Sequence, residues 1–108
     1  MKPGCTLIAF LQGKPEKRTE LIAVLREFVA PTRAEPGCVE YHLHVSNDDP
    51  NLFVFYENWR TRHDLDVHLE QQLLKTFFAR RMDLLERDVD IRFISMDSDF
   101  AANPGAMS

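Results

Sequence analysis

This 108-residue chain has no basic stripe, no long apolar run and no cysteine framework. Thirteen Lys and Arg stand against seventeen Asp and Glu, for a formal charge of -4. The basic residues are scattered, which argues against nucleic acid, since phosphate binding needs a clustered cationic footprint. The first apolar run, Leu7 to Leu11, is too brief for a membrane span or for the core of a secretory signal. A cytoplasmic chain with no membrane partner is expected. Two cysteines, Cys5 and Cys38, are too few for a framework. In the strand order reached below they begin two parallel strands separated by a third, about 9 to 10 Å apart at ordinary strand spacing, which is beyond disulfide reach. They read as small, half-buried thiols in a reducing compartment. His42 and His44 share a strand with no cysteine pair nearby, so no metal site is expected.

What is present divides into alternating periods. Cys5 to Gln12 is a compact apolar run closed by Gly13 and Pro15, which favours a buried strand. From Lys17 to about Ala34, Leu21, Val24, Leu25 and Phe28 recur at helical spacing with charges opposite, predicting one amphipathic helix. Glu35-Pro36-Gly37 stops it, the glycine supplying permissive backbone for a sharp reversal. Cys38 to Ser46 alternates, with Val39, Tyr41, Leu43 and Val45 on one face and Glu40, His42 and His44 on the other. Asn47-Asp48-Asp49-Pro50-Asn51 is a turn by composition. A strand from Leu52 to Trp59 follows. Thr61 with Asp64 then signals a helix start, with Leu65, His68 and Leu69 on one face. A second helical stretch, about Gln72 to Glu86, directs Leu74, Phe77, Phe78, Met82 and Leu85 inward. Asp88 to Met96 is a weaker strand, interrupted by Asp90 and Arg92. Residues 1–97 form one domain, and 98–108 read as a loose polar tail.

Strand, helix, strand, strand, helix, strand is the order of an α+β, ferredoxin-like βαββαβ fold with an antiparallel sheet, helices on one face and the other face bare. The strand Leu52 to Trp59 carries the most information. Phe53, Phe55, Glu57 and Trp59 share one side, and Leu52, Val54, Tyr56 and Asn58 share the other. Neither side is a clean solvent face, so both need cover. Two such sheets packed face to face bury both sides and form a dimeric α/β barrel, which predicts a homodimer.

Arg33-Ala34-Glu35-Pro36-Gly37-Cys38, then Tyr41, Asp48-Asp49-Pro50, Phe55-Tyr56-Glu57-Asn58-Trp59 and His68 together resemble the antibiotic biosynthesis monooxygenase family of dimeric α/β barrels. The resemblance runs from Leu7 to about Met96 and rests on the order and spacing of the pieces. It implies a cofactor-free oxygenase acting with dioxygen on a small aromatic molecule, a quinol or polyketide anthrone. The haem-degrading branch differs: those enzymes carry a tryptophan near the position of His68, a haem-ligating histidine one helix further on and an asparagine in the first strand. Here the later helix has Phe77 and Phe78, and Thr6 to Leu11 contains no asparagine. Because iron needs an axial donor, no haem cofactor is expected.

For such an oxygenase the substrate supplies the electrons once it is deprotonated, and the protein stabilises the anion, orients the ring and excludes water. His68 is the candidate catalytic residue, as base or as hydrogen-bond donor to a phenolate, because imidazole titrates near neutral pH. Trp59 and Tyr41 would shape an aromatic slot. Tyr56, Glu57 and Asn58 are candidate polar contacts, although alternation sends Glu57 away from the other two. Each has a structural alternative: His68 as a satisfied core histidine, Trp59 closing the end of a barrel strand, Tyr41 as core, and Glu57 paired with an arginine at the dimer contact. His42 and His44 belong to a solvent or interface face, and His63 to the surface. Two further functions compete. An isomerase or lyase of a small oxygenated or phosphorylated metabolite would draw on Arg60, Arg62, Arg80 or Arg81. A non-catalytic dimeric ligand-binding module would have the space beside His68 filled by Phe28, Phe77 or Phe78.

Overall fold

The structure is a computed structural model that describes residues 3–99; residues 100–108, most of the expected tail, lie outside the described part. Four strands, β1 (Cys5–Gln12), β2 (Cys38–Val45), β3 (Leu52–Trp59) and β4 (Asp90–Ile94), form one sheet in the order β2-β3-β1-β4. Each neighbouring pair is antiparallel. Helices α1 (Arg18–Glu27), α2 (Val29–Arg33), α3 (Arg62–Leu69) and α4 (Gln72–Leu84) fill the connections. This is the ferredoxin-like order expected from the sequence. Among the described residues no helix is long and apolar enough to cross a membrane.

The single helix expected over Lys17 to Ala34 is instead two, after a short 3-10 turn at Pro15–Lys17. The reason lies in Pro31. A proline has no N–H to give to the carbonyl four residues back, and its ring crowds that carbonyl. The carbonyl concerned belongs to Glu27, where α1 ends. The chain tightens at Phe28, whose N–H reaches Leu25 O at 3.2 Å, and resumes at Val29.

A β-bulge also departs from simple alternation. Cys38 pairs with Trp59 and Glu40 with Asn58, which leaves Val39 as the extra residue. Val39 is 51% exposed where alternation alone would have buried it beside Tyr41. In α4, Met82 is 46% exposed and Leu84 is buried. The apolar stripe runs through Leu74, Phe77 and Leu84, and Met82 falls just past its edge, next to half-buried Phe78.

The core lies between the sheet and the helices. Leu7, Ala9 and Leu11 of β1, Phe53 and Phe55 of β3 and Tyr41 of β2 meet Leu21, Leu25 and Phe28 from the first helical segment and Leu74 and Phe77 from α4. Phe28 packs edge-on to Phe77 at 5.6 Å and near-parallel to Phe55 at 6.4 Å between ring centres. Cys5 and Cys38 both oppose Trp59, one from each neighbouring strand, and both are free thiols. Two small side chains beside one indole let the ring fill the end of the sheet with no exposure. On the other face Ile8, Phe10, Val54 and Tyr56 are half-buried, and among the described residues no helix packs there.

Candidate functional site

Strand β3 turns directly into α3, and that junction positions the site. Thr61 is the N-cap: its hydroxyl accepts from the Asp64 N–H at 3.1 Å and donates to the Asp64 carboxylate at 2.8 Å. The cap sets the rotation of α3, so Leu65 and His68, one turn apart, enter the core together. The loop before β2 docks on the same junction, with Arg60 N–H donating to Gly37 O at 2.9 Å. Gly37 has no left-handed backbone; the reversal expected of it does not require one. Its lack of a side chain matters because a Cβ there would collide with the Asp64 side chain.

His68 is 1% exposed. Its Nδ1 lies 2.8 Å from Glu35 Oε2, and its ring lies 4.7 Å from Trp59 and 5.6 Å from Tyr41 between centres. A carboxylate only accepts, so Glu35 draws the proton to Nδ1 and leaves Nε2 as the acceptor. Burial lowers the His68 pKa, with Glu35 opposing. On β3 the buried Glu57 accepts from Trp59 Nε1 at 3.0 Å. Burial pushes its carboxyl up to about 7, the Trp59 hydrogen bond pulls down, and the Glu35 charge adds to the rise. Burial, then the nearby Glu57, also push the Tyr41 phenol up, against a hydrogen bond with Thr32.

Between sheet and helices is a cavity of about 60 Å³ whose wall includes Tyr41, Glu57, His68, Phe28, Phe77 and Phe78. Ile91 and Phe93 of β4, both exposed, form its outer lip. The chamber is apolar apart from the imidazole, the carboxyl and the phenol. In a low-dielectric chamber such groups act on a bound molecule with little competition from water.

Of the residues singled out in sequence, His68, Tyr41 and Glu57 come together on the cavity wall, and Trp59 sits behind them, supporting His68 and Glu57. Tyr56 and Asn58 face the other side of the sheet. Asn58 is buried there, accepting from Thr6 Oγ1 at 2.5 Å and donating to Glu40. Glu57 pairs with an indole rather than an arginine. Arg60, Arg62, Arg80 and Arg81 pair with Asp64, Asp66, Glu20 and Asp88 on the surface, and none lines the cavity. His63 and His44 are exposed, and His42, half-buried, accepts from Arg33 Nη2 at 3.1 Å. Among the described residues no three His, Cys, Asp or Glu are grouped to hold a metal. In sequence Glu35 belongs to a helix stop and to one piece of the family resemblance, with no role of its own; nothing local signals its contact with a histidine 33 residues away.

The comparisons with known proteins fit this geometry. Residues 5–80 match the sequence profile described as antibiotic biosynthesis monooxygenase. The chain belongs to that family. It is 37% identical over 82 residues to the Synechocystis "Uncharacterized protein sll1783", covering 76% of this chain but only 56% of that protein. It is 35% identical over 95 residues to the "Putative monooxygenase Rv0793" of Mycobacterium tuberculosis, covering 88% of this chain and 93% of that one. The solved structure of Rv0793 superposes with a TM-score of 0.83 over 90% of this chain and 98% of its own, at 31% identity. That of PA3566 from Pseudomonas aeruginosa gives 0.84 over 91% and 97%, at 34% identity.

Proposed function

We propose that the chain is a cofactor-independent monooxygenase that oxidises a small quinol-like or polyketide aromatic molecule with dioxygen, acting as a homodimer in the cytoplasm. The observation that carries the reading is an apolar cavity with His68 and Glu57 on its wall, His68 Nδ1 being held by Glu35. His68 accepts the proton of a phenolic or enolic O–H, and the anion that forms reduces dioxygen. An activated CH₂ becomes a carbonyl, one oxygen atom enters the product, and the other leaves as water with the two hydrogens. Glu57, whose carboxyl titrates near pH 7, donates to an oxygen of the bound ring when protonated. Tyr41 and the phenylalanines hold the ring's faces, and Trp59 keeps His68 and Glu57 in place. Membership of a monooxygenase family supports the reaction class. The half-buried apolar outer face, with Ile8, Phe10, Val54 and Tyr56, supports the dimer, with Tyr56 and Asn58 then at the sheet-to-sheet contact. The free thiols fit a reducing compartment.

The test is oxygen uptake with a panel of quinols and anthrones, comparing wild type with His68→Ala. Uptake by wild type and its loss in the variant is the expected result; equal rates would falsify the role of His68. A second reading, a ligand-binding module without chemistry, draws on the small cavity volume and on Phe28, Phe77 and Phe78 in its wall. Tight binding of an aromatic probe with no oxygen uptake across the panel would favour it.

A further inference from the structure

We propose that Glu35 and His68 form a proton relay between the cavity and bulk solvent, with His68 facing the bound molecule through Nε2 and Glu35 through Nδ1. The inference deepens the reading of His68 as the base and rests on it. Two separate spaces meet at this pair. His68 lines the inner cavity and not the outer groove. Glu35 lines a groove on the outside of α2 and α4, with exposed Pro31, Gln71, Gln72 and Leu73 around it, and it does not line the cavity. Leu74 is the one residue common to both walls, and it is apolar. The 2.8 Å contact is therefore a polar link through the wall, beside the hydrogen bond of Tyr41 with Thr32. Exposure follows the same gradient, 2% for the His68 side chain and 15% for that of Glu35.

A ligand that fills the cavity and closes its mouth at Ile91 and Phe93 cuts the base off from water on that side. A charged imidazolium held there is disfavoured by desolvation. A relay avoids holding it. When a substrate O–H gives its proton to Nε2, the Nδ1 proton passes to Glu35 Oε2 and on to water in the groove. The ring is then neutral, with N–H at Nε2, and donates to the substrate anion. When the reduced oxygen atom leaves as water, Nε2 returns a proton to it and Nδ1 regains one through Glu35. Proton traffic over the turnover sums to zero, as it must when the net change is a CH₂ and dioxygen to a carbonyl and water. The other titratable groups facing His68 are Glu57 on β3 and Tyr41 on β2. Glu57 lies on the cavity side, and Tyr41, though hydrogen-bonded to Thr32 of the groove wall, is a phenol that burial pushes up and that keeps its proton, so neither passes one out.

The first test needs no substrate. In nitrogen-15 histidine NMR of the whole chain, neutral wild-type His68 should carry its proton on Nδ1. Glu35→Gln, which keeps an acceptor for Nδ1–H but cannot pass a proton on, should slow exchange of that proton with water about tenfold or more. A proton found on Nε2, or equal exchange in the two proteins, would overturn the relay. The second test uses turnover of an anthrone or quinol. Glu35→Gln should lower kcat about a hundredfold, the scale of a lost proton transfer, at unchanged KM, and formate should restore kcat in Glu35→Ala. Equal kcat in wild type and Glu35→Gln, or a loss in Glu35→Ala that formate does not touch, would overturn it. If wild type turns over nothing in the panel, the monooxygenase reading fails and the exchange experiment still decides the relay.

Discussion

Trp59 donates its indole N–H to Glu57 Oε1 at 3.0 Å, two residues back on the same face of β3. Residues two apart on a strand point the same way, so one element supplies both the acid and the donor that restrains it. Burial drives the Glu57 carboxyl upward and the indole pulls it down. Trp59→Phe keeps a ring and deletes the donor. Glu57 should then titrate above about 7, and stability should fall by about 2 kcal/mol from the lost buried hydrogen bond and the partly emptied indole site. A carboxyl titration followed by infrared or carbon-13 NMR reads the first effect, and urea denaturation the second. An unmoved Glu57 titration would show that the indole hydrogen bond does not hold it down.

Glu57 also sets a pH dependence whose sign follows from its shift. The carboxyl ordinarily titrates at 4.5 and here is pushed up to about 7. Between those values the folded chain holds a proton that the unfolded chain has released. Stability contributed at this site is therefore fully present below pH 4.5 and is lost as pH rises to about 7, by something on the order of 3 kcal/mol. Glu57→Gln, which still accepts from Trp59, lacks the slope. Urea midpoints at pH 5 and pH 8 should drop in wild type relative to the variant, and parallel behaviour would exclude a buried titrating carboxyl.

His68 acts in the opposite direction. Its folded pKa lies below the ordinary 6.5 because of burial, with Glu35 opposing. The unfolded chain then takes up a proton first as pH falls, and stability is lost below about pH 6.5. Glu35→Gln should steepen that loss, since the charge that partly offsets burial is gone. Thermal unfolding between pH 7.5 and 5, referenced to His68→Gln, measures it. A shallower loss in Glu35→Gln than in wild type would contradict the pairing.

Gly37→Ala tests how the loop before β2 docks on the start of α3. A methyl group there meets the Asp64 side chain, which is hydrogen-bonded to Thr61 and to Arg60. Something must give at the cap that orients His68. The expected cost is about 1 to 3 kcal/mol by urea denaturation. Asp64→Ala in the same background should cost less than it does alone, because the clash is relieved.

The uncovered sheet face is tested at Val54, which lies between Phe10 of β1 and His44 of β2 in register. Wild type should sediment at twice the mass of the chain. Val54→Arg should shift it to the monomer, because a charge in the middle of an apolar contact has no partner. A wild-type monomer at micromolar concentration would remove the dimer from the proposal.

Period and punctuation in the amino-acid sequence determined most of the fold. The helical repeat of Leu21, Leu25 and Phe28, the two-residue repeat of β3 and the Thr61 cap each act within a few residues, where sterics and local hydrogen bonds decide the backbone. Finer steps escaped. The helix break at Phe28 needed the missing donor of Pro31 to be set against Glu27, and the outward turn of Val39 needed the register of β2 against β3. Alternation separated Glu57 and Trp59 from Tyr56 and Asn58, yet it could not say which set faces the helices. That choice belongs to the packing of whole elements, because periodicity places a residue on a face of its own strand or helix and is silent about what that face meets. Only the tertiary structure put His68 of α3 against Glu35 of the turn before β2 and on one cavity wall with Glu57, through contacts made across the chain rather than along it.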